Sequence, residues 1–362
     1  MSVGKITKNA SSLFVGKVVS SVLGFFTGAL IARLLEPSEL GLIGIAMSTI
    51  TLIYIITDLG LNQAIIYLIP RLLKEESKGG VKHLINRVYG IKIVLGVAVM
   101  IFLYLSSEWL ALLYNEPALG QVFRFFSILF VFFVVFNGLL NLFIAFQKMS
   151  YVTYSTIMLS ISKFLPIAHF FLAGFLGVVY GYVAMYAISA LLTIVLLSRL
   201  YPKGKVVQKV ALTELMKVSM GMFLMMLCYS LVSQASSLML GLLSTATEVA
   251  YFNISISIGL LVSFGGVALG SSMRPAITEM VSKGSKELVR RTLKYVVYGT
   301  LPITSLAIAL GSPIIRFVYT EKYLPALPAY NWIVLSFGLT GLFIFLFDVA
   351  RAIDRSFSVT KS

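Results

Sequence analysis

A series of long apolar runs constrains this chain more than any other feature of its sequence. A helix needs about 20 mainly apolar residues to cross the hydrocarbon core of a bilayer. Runs of that length lie at 11–35, 40–69, 86–107, 121–146, 150–173, 177–198, 216–243, 249–273, 294–317 and 330–350. Pro, Gly and polar residues that stop helices separate them. The pattern predicts an all-α integral membrane protein with about ten transmembrane helices.

The balance of apolar and charged residues supports this prediction. Hydrophobic residues make up 59% of the 362 residues and charged residues only 12%, and the mean hydropathy is +0.96. A soluble domain has about 25% charged residues. The net charge of +15 could suggest a nucleic-acid partner. However, the basic residues lie between the apolar runs, where they orient a membrane protein, so we expect no nucleic acid.

The distribution of Lys and Arg predicts the orientation, because short cytoplasmic loops carry an excess of both. With the N-terminus inside, most of the 29 basic residues fall in inner segments. The segment between the second and third runs is the richest of the early ones, with Arg71, Lys74, Lys78, Lys82, Arg87 and Lys92. We therefore predict a multi-pass protein of the cytoplasmic membrane with both termini cytoplasmic.

Short motifs recur along the chain in the same order. Ser77-Lys78-Gly79 returns as Ser282-Lys283-Gly284, and Tyr114-Asn115-Glu116 returns as Tyr319-Thr320-Glu321, each 205 residues later. In the same way Leu34-Leu35 matches Leu242-Leu243. The first four runs thus correspond to the seventh to tenth, in the same orientation. A parallel repeat of this kind predicts two lobes related by an axis along the membrane normal.

The repeat also predicts the division into domains. Residues 1–198 form an N-terminal lobe of six helices, 199–217 a basic cytoplasmic linker, and 218–362 a C-terminal lobe of about four helices. The fifth and sixth runs have no counterpart, so we expect the second lobe to be two helices short.

Several motifs resemble those of polysaccharide-type oligosaccharide flippases. The first are Ala32-Arg33-Leu34-Leu35-Glu36-Pro37-Ser38-Glu39-Leu40-Gly41, followed by Asp58-Leu59-Gly60-Leu61 and Ala64. The second-half pattern is matched by Arg274-Pro275-Ala276-Ile277-Thr278-Glu279 and by residues 317–323. The superfamily also includes multidrug and toxin extrusion transporters and lipid II flippases. The resemblance implies two lobes around a central cavity, and an oligosaccharide substrate linked through diphosphate to a polyprenol lipid.

Charges inside the runs are the first candidates for the site. Asp58 lies within the second run, where an acid costs about 2.5–3.5 kcal/mol unless it faces a bundle interior or a cavity. It could neutralise Lys17 or Lys163, or bind a coupling ion. Lys17 shares a helix face with Gly24 and can line the cavity or snorkel to the inner headgroups. Lys163 can attract the diphosphate or pair with a distant acid.

The remaining candidates are polar residues near the ends or along the faces of the runs. Arg33 and Arg274 flank the hairpin and its repeat, where each can meet phosphate or act as an interfacial anchor. Gln234 and Asn253 belong to polar stripes of the seventh and eighth runs. Such stripes can line a cavity or only join helices through small residues and hydrogen bonds.

The sequence carries no enzyme signature. Its two histidines, His83 and His169, lie far apart, no Cys or His cluster fits a metal site, and no Gly-rich phosphate loop follows a strand. We therefore expect no catalytic residue, no metal and no cofactor.

Three functions stay open. The first is a flippase that moves polyprenyl-diphosphate-linked oligosaccharide across the cytoplasmic membrane by alternating access. Its partners would be membrane lipids and the glycosyltransferases or polymerase of the same pathway. The second is a cation-coupled multidrug exporter, which predicts a cavity dominated by acids. The third is a truncated, non-transporting membrane component of a glycan assembly complex, an idea favoured by the missing helices.

Overall fold

A computed structural model describes residues 3–75, 78–202, 212–263 and 286–360, and within these ranges the chain is helical without any strand. The helices are α1 (Val3–Leu34), α2 (Pro37–Asp58), α3 (Leu61–Lys74), α4 (Lys78–Leu105), α5 (Ser107–Leu113), α6 (Ala118–Ala145), α7 (Met149–Ser162), α8 (Phe164–Ser198), α9 (Leu212–Leu243), α10 (Ala246–Ser263), α11 (Lys286–Ala309), α12 (Gly311–Val318) and α13 (Leu327–Thr360). A short 3₁₀ helix, Glu321–Ala326, precedes α13. The predicted all-α class is confirmed.

Several of the described helices are long and apolar enough to cross a membrane. Seven such segments are Gly16–Leu34, Pro37–Asp58, Lys78–Leu105, Ala118–Ala145, Met149–Ser198, Thr213–Leu243 and Ala246–Ser263. An eighth arises if Val296–Ala309 and Gly311–Val318, bent by 69° at their junction, count as one span. The chain is therefore a multi-pass membrane protein, although these segments do not confirm the predicted count of ten.

The 50-residue segment Met149–Ser198 is two antiparallel arms, not one span. The backbone leaves helical geometry at Ala173 and Gly174, and Gly174 has a φ of 59°. A Cβ atom on Gly177 would lie 2.0 Å from the carbonyl oxygen of His169, and one on Gly181 would lie 2.3 Å from the Cα atom of Pro166. These approaches place the two arms side by side. The reversal falls where the runs 150–173 and 177–198 are predicted to separate.

The run 40–69 was predicted as one helix, and this prediction is wrong. Leu59 and Gly60 follow α2 with φ angles of 49° and 74°, so the chain turns and α3 begins at Leu61. A Cβ atom on Gly60 would lie 2.2 Å from the carbonyl oxygen of Ser219 in α9. Glycine is the residue that tolerates both the left-handed backbone and this close approach. The sequence stays apolar through Leu59 and Gly60, so hydrophobicity alone does not predict this turn.

The first compact unit, Met1–Val249, is built around α6. Helices α2, α3, α4, α5 and α8 all pack against α6. Phe123, Phe126 and Phe130 of α6 are completely buried. These aromatic side chains fill the core of the unit, so α6 has no broad lipid-facing surface.

Helix α9 runs antiparallel along α2 within this unit. A Cβ atom on Gly241 would lie 3.0 Å from Cγ1 of Ile45, one helical turn after Gly41. Gly41, at the start of α2, lies against the carbonyl group of Ala246 just beyond α9, whereas Gly60 meets Ser219 at the other end. Small residues thus let the two backbones approach closely, as is usual between membrane helices.

The second compact unit, Ala250–Ser362, contains α11 packed against α13. A Cβ atom on Gly338 would lie 2.1 Å from the hydroxyl oxygen of Thr304, so a glycine is needed for the two helices to touch. The phenol of Tyr330 donates a hydrogen bond of 2.8 Å to the carbonyl oxygen of Ala307. A close backbone approach and a polar anchor therefore hold this helix pair together.

The sequence repeat has a counterpart in local structure. The order long helix, short helix, long helix occurs as α4–α5–α6 and again as α11–α12–α13. Asn115 and Thr320, the central residues of one repeated motif, both have positive φ angles, 52° and 93°. The preceding Tyr114 and Tyr319 are both buried. The two copies therefore share element order and turn geometry, while the lobe boundaries at 199–217 stay a prediction.

The contact at Gly41 can be tested by substitution. In Gly41→Ala the new Cβ atom would lie 1.7 Å from the carbonyl oxygen of Ala246, so the backbones must separate. We expect the free energy of unfolding in detergent to fall by about 1–3 kcal/mol, the usual cost of overpacking. Gly90→Ala in α4 is the control, because its Cβ atom would have no neighbour within 4 Å. Equal stability of the two variants would contradict the proposed close contact.

Candidate functional site

A buried ion pair lies where α2, α3 and α4 meet. Nζ of Lys92 in α4 is 2.7 Å from Oδ1 of Asp58, the last residue of α2, and the two side chains are only 2% and 11% exposed. Lys92 also donates a hydrogen bond of 2.5 Å to Oδ1 of Asn62 in α3. Removing both charges from water is expensive unless each has well-placed partners. Here the ammonium group of Lys92 and the carboxylate of Asp58 are partners of each other.

Asp58 also caps the N-terminus of α3. Its Oδ2 atom accepts a hydrogen bond of 3.2 Å from the backbone N–H of Asn62, in the first turn of that helix. The first N–H groups of a helix have no partner within it, so a carboxylate there is stabilising. The motif Asp58-Leu59-Gly60-Leu61 thus has a local explanation. It combines a helix end, a left-handed turn and a cap.

Aromatic groups enclose the ion pair. The phenol oxygen of Tyr54 accepts a hydrogen bond of 2.6 Å from Nδ2 of Asn62, and its ring centroid is 5.9 Å from Nζ of Lys92. The hydroxyl of Tyr89 is buried and has no hydrogen-bond partner among the described residues. A Cβ atom on Gly138 of α6 would lie 3.3 Å from that hydroxyl and 3.4 Å from Nζ of Lys92. The cluster is electrically balanced and closely packed.

Lys92 was not recognised as a site residue from the sequence. By its place in the chain it counts among the basic residues of the second inner segment, and Lys17 or Lys163 is the expected partner of Asp58. In the structure Lys92 lies inside α4, and its ammonium group forms the ion pair with Asp58. One signal was available, since Lys92 lies within the apolar run 86–107. A cation at such a position needs an acid, and Asp58 is the acid of the preceding run.

Lys163 is a second cation in an apolar segment. It joins α7 to α8, is partly buried, and points at α1, where its Nζ atom is 2.9 Å from the position that a Cβ atom on Gly24 would occupy. The ammonium group of Lys163 makes no ion pair or hydrogen bond with any residue in the described part of the chain. The absent side chain of Gly24 makes room for this ammonium group.

Helices α1 and α7 run parallel and lead to Lys163. A Cβ atom on Gly16 would lie 2.7 Å from Cγ2 of Thr153, and the hydroxyl of Ser160 donates a hydrogen bond of 3.4 Å to the carbonyl oxygen of Ser20. The hydroxyl of Ser20 is itself buried without a partner in the described ranges. Small and polar residues therefore line the α1–α7 contact, with a cation at its end.

The ion pair of Asp58 with Lys92 does not include Lys17, Arg33 or Gln234, which are the other predicted site residues of the first unit. Lys17 is exposed on α1, and Arg33 is exposed at the last turn of the same helix, where it makes an interaction with another residue. Gln234 in α9 and Asn253 in α10 are partly buried. Arg274 lies outside the described residues. Over those ranges, no three His, Cys, Asp or Glu side chains form a group that could hold a metal.

Comparison with known proteins identifies relatives at the level of family and fold. A family model described as polysaccharide biosynthesis protein matches residues 30–328. A search of curated proteins finds no match. Among solved structures, the chain is similar to a lipid II flippase, MurJ, in its inward closed conformation, with 16% identity, a TM-score of 0.71, and coverage of 94% of this chain and 76% of that one.

Two further structures have the same fold. One is an inward-facing multidrug resistance MATE family transporter of the MOP superfamily, with 14% identity, a TM-score of 0.70, and coverage of 95% and 87% of the two chains. The other is a Vibrio cholerae MATE transporter, with 17% identity, a TM-score of 0.63, and coverage of 98% and 86%. At these identities the likeness establishes the fold, which is that of MurJ and the MATE transporters.

The buried ion pair predicts a specific pattern of stability. Asp58→Asn keeps an acceptor for the cap of α3 but leaves the Lys92 ammonium buried without a counter-charge. We expect the free energy of unfolding in detergent to fall by about 3–5 kcal/mol. The double variant Asp58→Asn, Lys92→Met removes both charges and should recover most of that loss.

Glu108→Gln is the matched control for this prediction. It breaks the ion pair of Glu108 with Arg124, which has the same 2.7 Å separation but is exposed. An exposed pair contributes only about 0–1 kcal/mol, so this variant should unfold almost like the wild type. A loss in Asp58→Asn no larger than in Glu108→Gln would show that the buried pair does not stabilise the fold.

Proposed function

This chain belongs to the polysaccharide biosynthesis protein family, and on that premise we propose that it is a flippase for polyprenyl-diphosphate-linked oligosaccharide. It moves this lipid across the cytoplasmic membrane by alternating access between two parallel-repeat lobes, with about ten helices around a central cavity. Both termini lie on the cytoplasmic side. The transport step involves no covalent chemistry, metal or cofactor of the protein.

The charge balance of the spanning segments in the first unit carries this proposal. Asp58 is neutralised by Lys92, whereas Lys163 has no acidic partner among the described residues. The unit therefore presents a fixed positive charge in an apolar segment. A diphosphate is the part of the substrate that is hardest to move past hydrocarbon, and a lysine is a common point-charge ligand for phosphate. The unpaired cation suits an anionic substrate.

The same observation disfavours a cation-coupled multidrug exporter. Such a protein needs an acid that is free to bind a cation or a proton within the membrane. In the first unit, Asp58 already holds Lys92 at 2.7 Å and caps α3. An incoming cation would have to displace a covalently tethered ammonium group from a buried site.

The surroundings of Lys163 suggest how it meets the substrate. The hydroxyls of Ser20 and Ser160 lie in the α1–α7 contact about one helical turn before Gly24 and Lys163 along their own helices, and hydroxyls can replace water around a sugar or a phosphate. We place Lys163 at the diphosphate. Further contacts of the cavity are assigned to Lys17, Arg33, Gln234, Asn253 and Arg274.

The proposed partners follow from the substrate. The lipid tail of the substrate stays in the bilayer while the head group crosses, so membrane lipids surround the transported molecule. Glycosyltransferases of the same pathway must make the lipid-linked oligosaccharide on the inner side. A polymerase or transferase on the outer side consumes it.

The proposal predicts that Lys163 controls transport. In proteoliposomes with a labelled polyprenyl-diphosphate oligosaccharide, we expect Lys163→Gln to lower the transport rate by about tenfold or more. A hydrogen bond to a charged group contributes about 1.5–3 kcal/mol, and about 1.4 kcal/mol corresponds to tenfold. Lys163→Arg keeps the charge and should retain most of the activity.

Lys148→Gln provides the control on the same helix. It removes the same charge, but Lys148 is exposed at the start of α7, so transport should stay close to that of the wild type. Equal rates for Lys163→Gln and Lys148→Gln, with both proteins folded, would remove Lys163 from the transport path. Wild-type protein that moves a cationic drug and no lipid-linked sugar would instead support the exporter.

A further inference from the structure

One face of α4 begins with a cation and continues with exposed apolar residues. It consists of Lys82, Asn86, Gly90, Ile93 and Val97, which follow one another at spacings of three or four residues, and we call these five residues the α4 face. Lys82 is half-buried and the other four are exposed. A Cβ atom on Gly90 would have no neighbour within 4 Å, and Ile93 is 49% exposed. The α4 face is therefore open beyond its cation.

The end of α8 carries a second face of the same composition. It runs back from Arg199, the residue that follows α8, through Val195 and Leu192 to Ile188, and we call these four residues the α8 face. All four are exposed. Helices α4 and α8 both pack against α6, and neither contains an Asp or Glu residue. No carboxylate of these two helices can therefore neutralise Lys82 or Arg199.

Tyr201 joins the cationic ends of the two faces. It lies two residues after Arg199, its hydroxyl donates a hydrogen bond to Oδ1 of Asn86, and its ring centroid is 5.9 Å from Nζ of Lys82. An aromatic ring attracts an ammonium group through its quadrupole and leaves the net charge in place. Within the described ranges, Lys82 forms no ion pair or hydrogen bond. Tyr201 therefore positions a cation that remains available to an anion.

Several exposed cations elsewhere in the first unit are neutralised by acids. Arg71 is 3.2 Å from Glu75 and 3.1 Å from Glu214. Arg124 is 2.7 Å from Glu108. The surroundings of Lys82 differ, because an aromatic ring takes the place that a carboxylate has beside these two arginines.

We propose that the α4 face, the α8 face and Tyr201 together bind an anionic glycerophospholipid with two acyl chains. The phosphate group of the lipid lies against Lys82 and Arg199, and its acyl chains follow the apolar residues of the two faces into the hydrocarbon. In the orientation proposed above, the lipid belongs to the cytoplasmic leaflet. It is a resident partner of the protein, and its site does not depend on the identity of the transported substrate.

The arrangement favours a phospholipid over other anions. Cations at the level of the head groups attract anionic lipids, and apolar residues that continue each face at helical spacing match the acyl chains below the head group. Two such faces fit two chains, whereas a polyprenyl diphosphate has one. A free phosphate ion makes no contact with the apolar residues.

Native mass spectrometry of the full chain, purified in detergent and titrated with lipid, tests the proposal. We expect phosphatidylglycerol to bind about tenfold more tightly than phosphatidylcholine of the same chain length, because choline offsets the charge of the phosphate. Lys82→Gln and Arg199→Gln should each lower the affinity for phosphatidylglycerol by about tenfold and leave that for phosphatidylcholine unchanged. Lys148→Gln, which removes an exposed cation just before α7, is the control and should bind like the wild type.

Two further substitutions test the acyl-chain contact and the role of the ring. Gly90→Trp fills the α4 face, so the affinity for phosphatidylglycerol should fall by about tenfold while thermal unfolding stays unchanged. Val22→Trp on the exposed surface of α1 is its control. Tyr201→Phe keeps the ring beside Lys82 and should retain most of the affinity, whereas Tyr201→Leu should lower it as much as Lys82→Gln does.

Three results, obtained with folded proteins, would overturn the proposal. Equal affinities of the wild type for the two phospholipids would show that the head group is not recognised. Equal losses in Lys82→Gln and Lys148→Gln would make lipid binding a property of the whole basic surface. Unchanged affinity in Gly90→Trp, or displacement of phosphatidylglycerol by inorganic phosphate or by a polyprenyl diphosphate, would exclude a diacyl lipid as the occupant.

Discussion

A charge in hydrocarbon is costly unless it is paired or faces a polar interior, and the pairing of Lys92 with Asp58 organises the first unit of this protein. The two residues lie on different helices, 2.7 Å apart and almost completely buried. Because either charge alone would be costly at this place, the pair holds the end of α2 against α4. The carboxylate also caps α3. A single acid at the end of α2 therefore caps α3 and pairs with a lysine of α4.

Close backbone approach is the second constraint, and glycines make it possible. Gly60 turns the chain after α2 and contacts α9. Gly177 and Gly181 bring the two arms of the segment Met149–Ser198 together, and Gly24 leaves room for Lys163. In a bilayer, helices associate through packing and hydrogen bonds rather than through exclusion from water. Positions without a side chain therefore decide which helices can touch.

These two constraints give the two buried cations different roles. Lys92 is neutralised by Asp58 of α2, donates a hydrogen bond to Asn62 of α3 and lies near the ring of Tyr54, which makes it part of the fold. Lys163 lies at the end of a polar contact between α1 and α7 without an acid among the described residues. Because no acid neutralises this ammonium group, it remains available to a ligand, and an anionic lipid head group has the opposite charge. The electrostatic distinction between the two lysines therefore underlies the proposed function.

The sequence by itself determined the class of this protein, because apolar runs long enough to span a bilayer permit few alternatives. The glycines at Gly174 and Gly177 also predicted the reversal of the chain within α8. The repeat predicted that residues 114–116 and 319–321 hold equivalent places, and Asn115 and Thr320 both have positive φ angles. Only the tertiary structure decided that α2 ends at Asp58, since hydrophobicity continues through Leu59 and Gly60 while the backbone does not. It also decided the partner of Asp58. Lys92 is 34 residues away in the chain, and an ion pair at such a separation depends on which helices pack together, which apolar side chains alone do not specify.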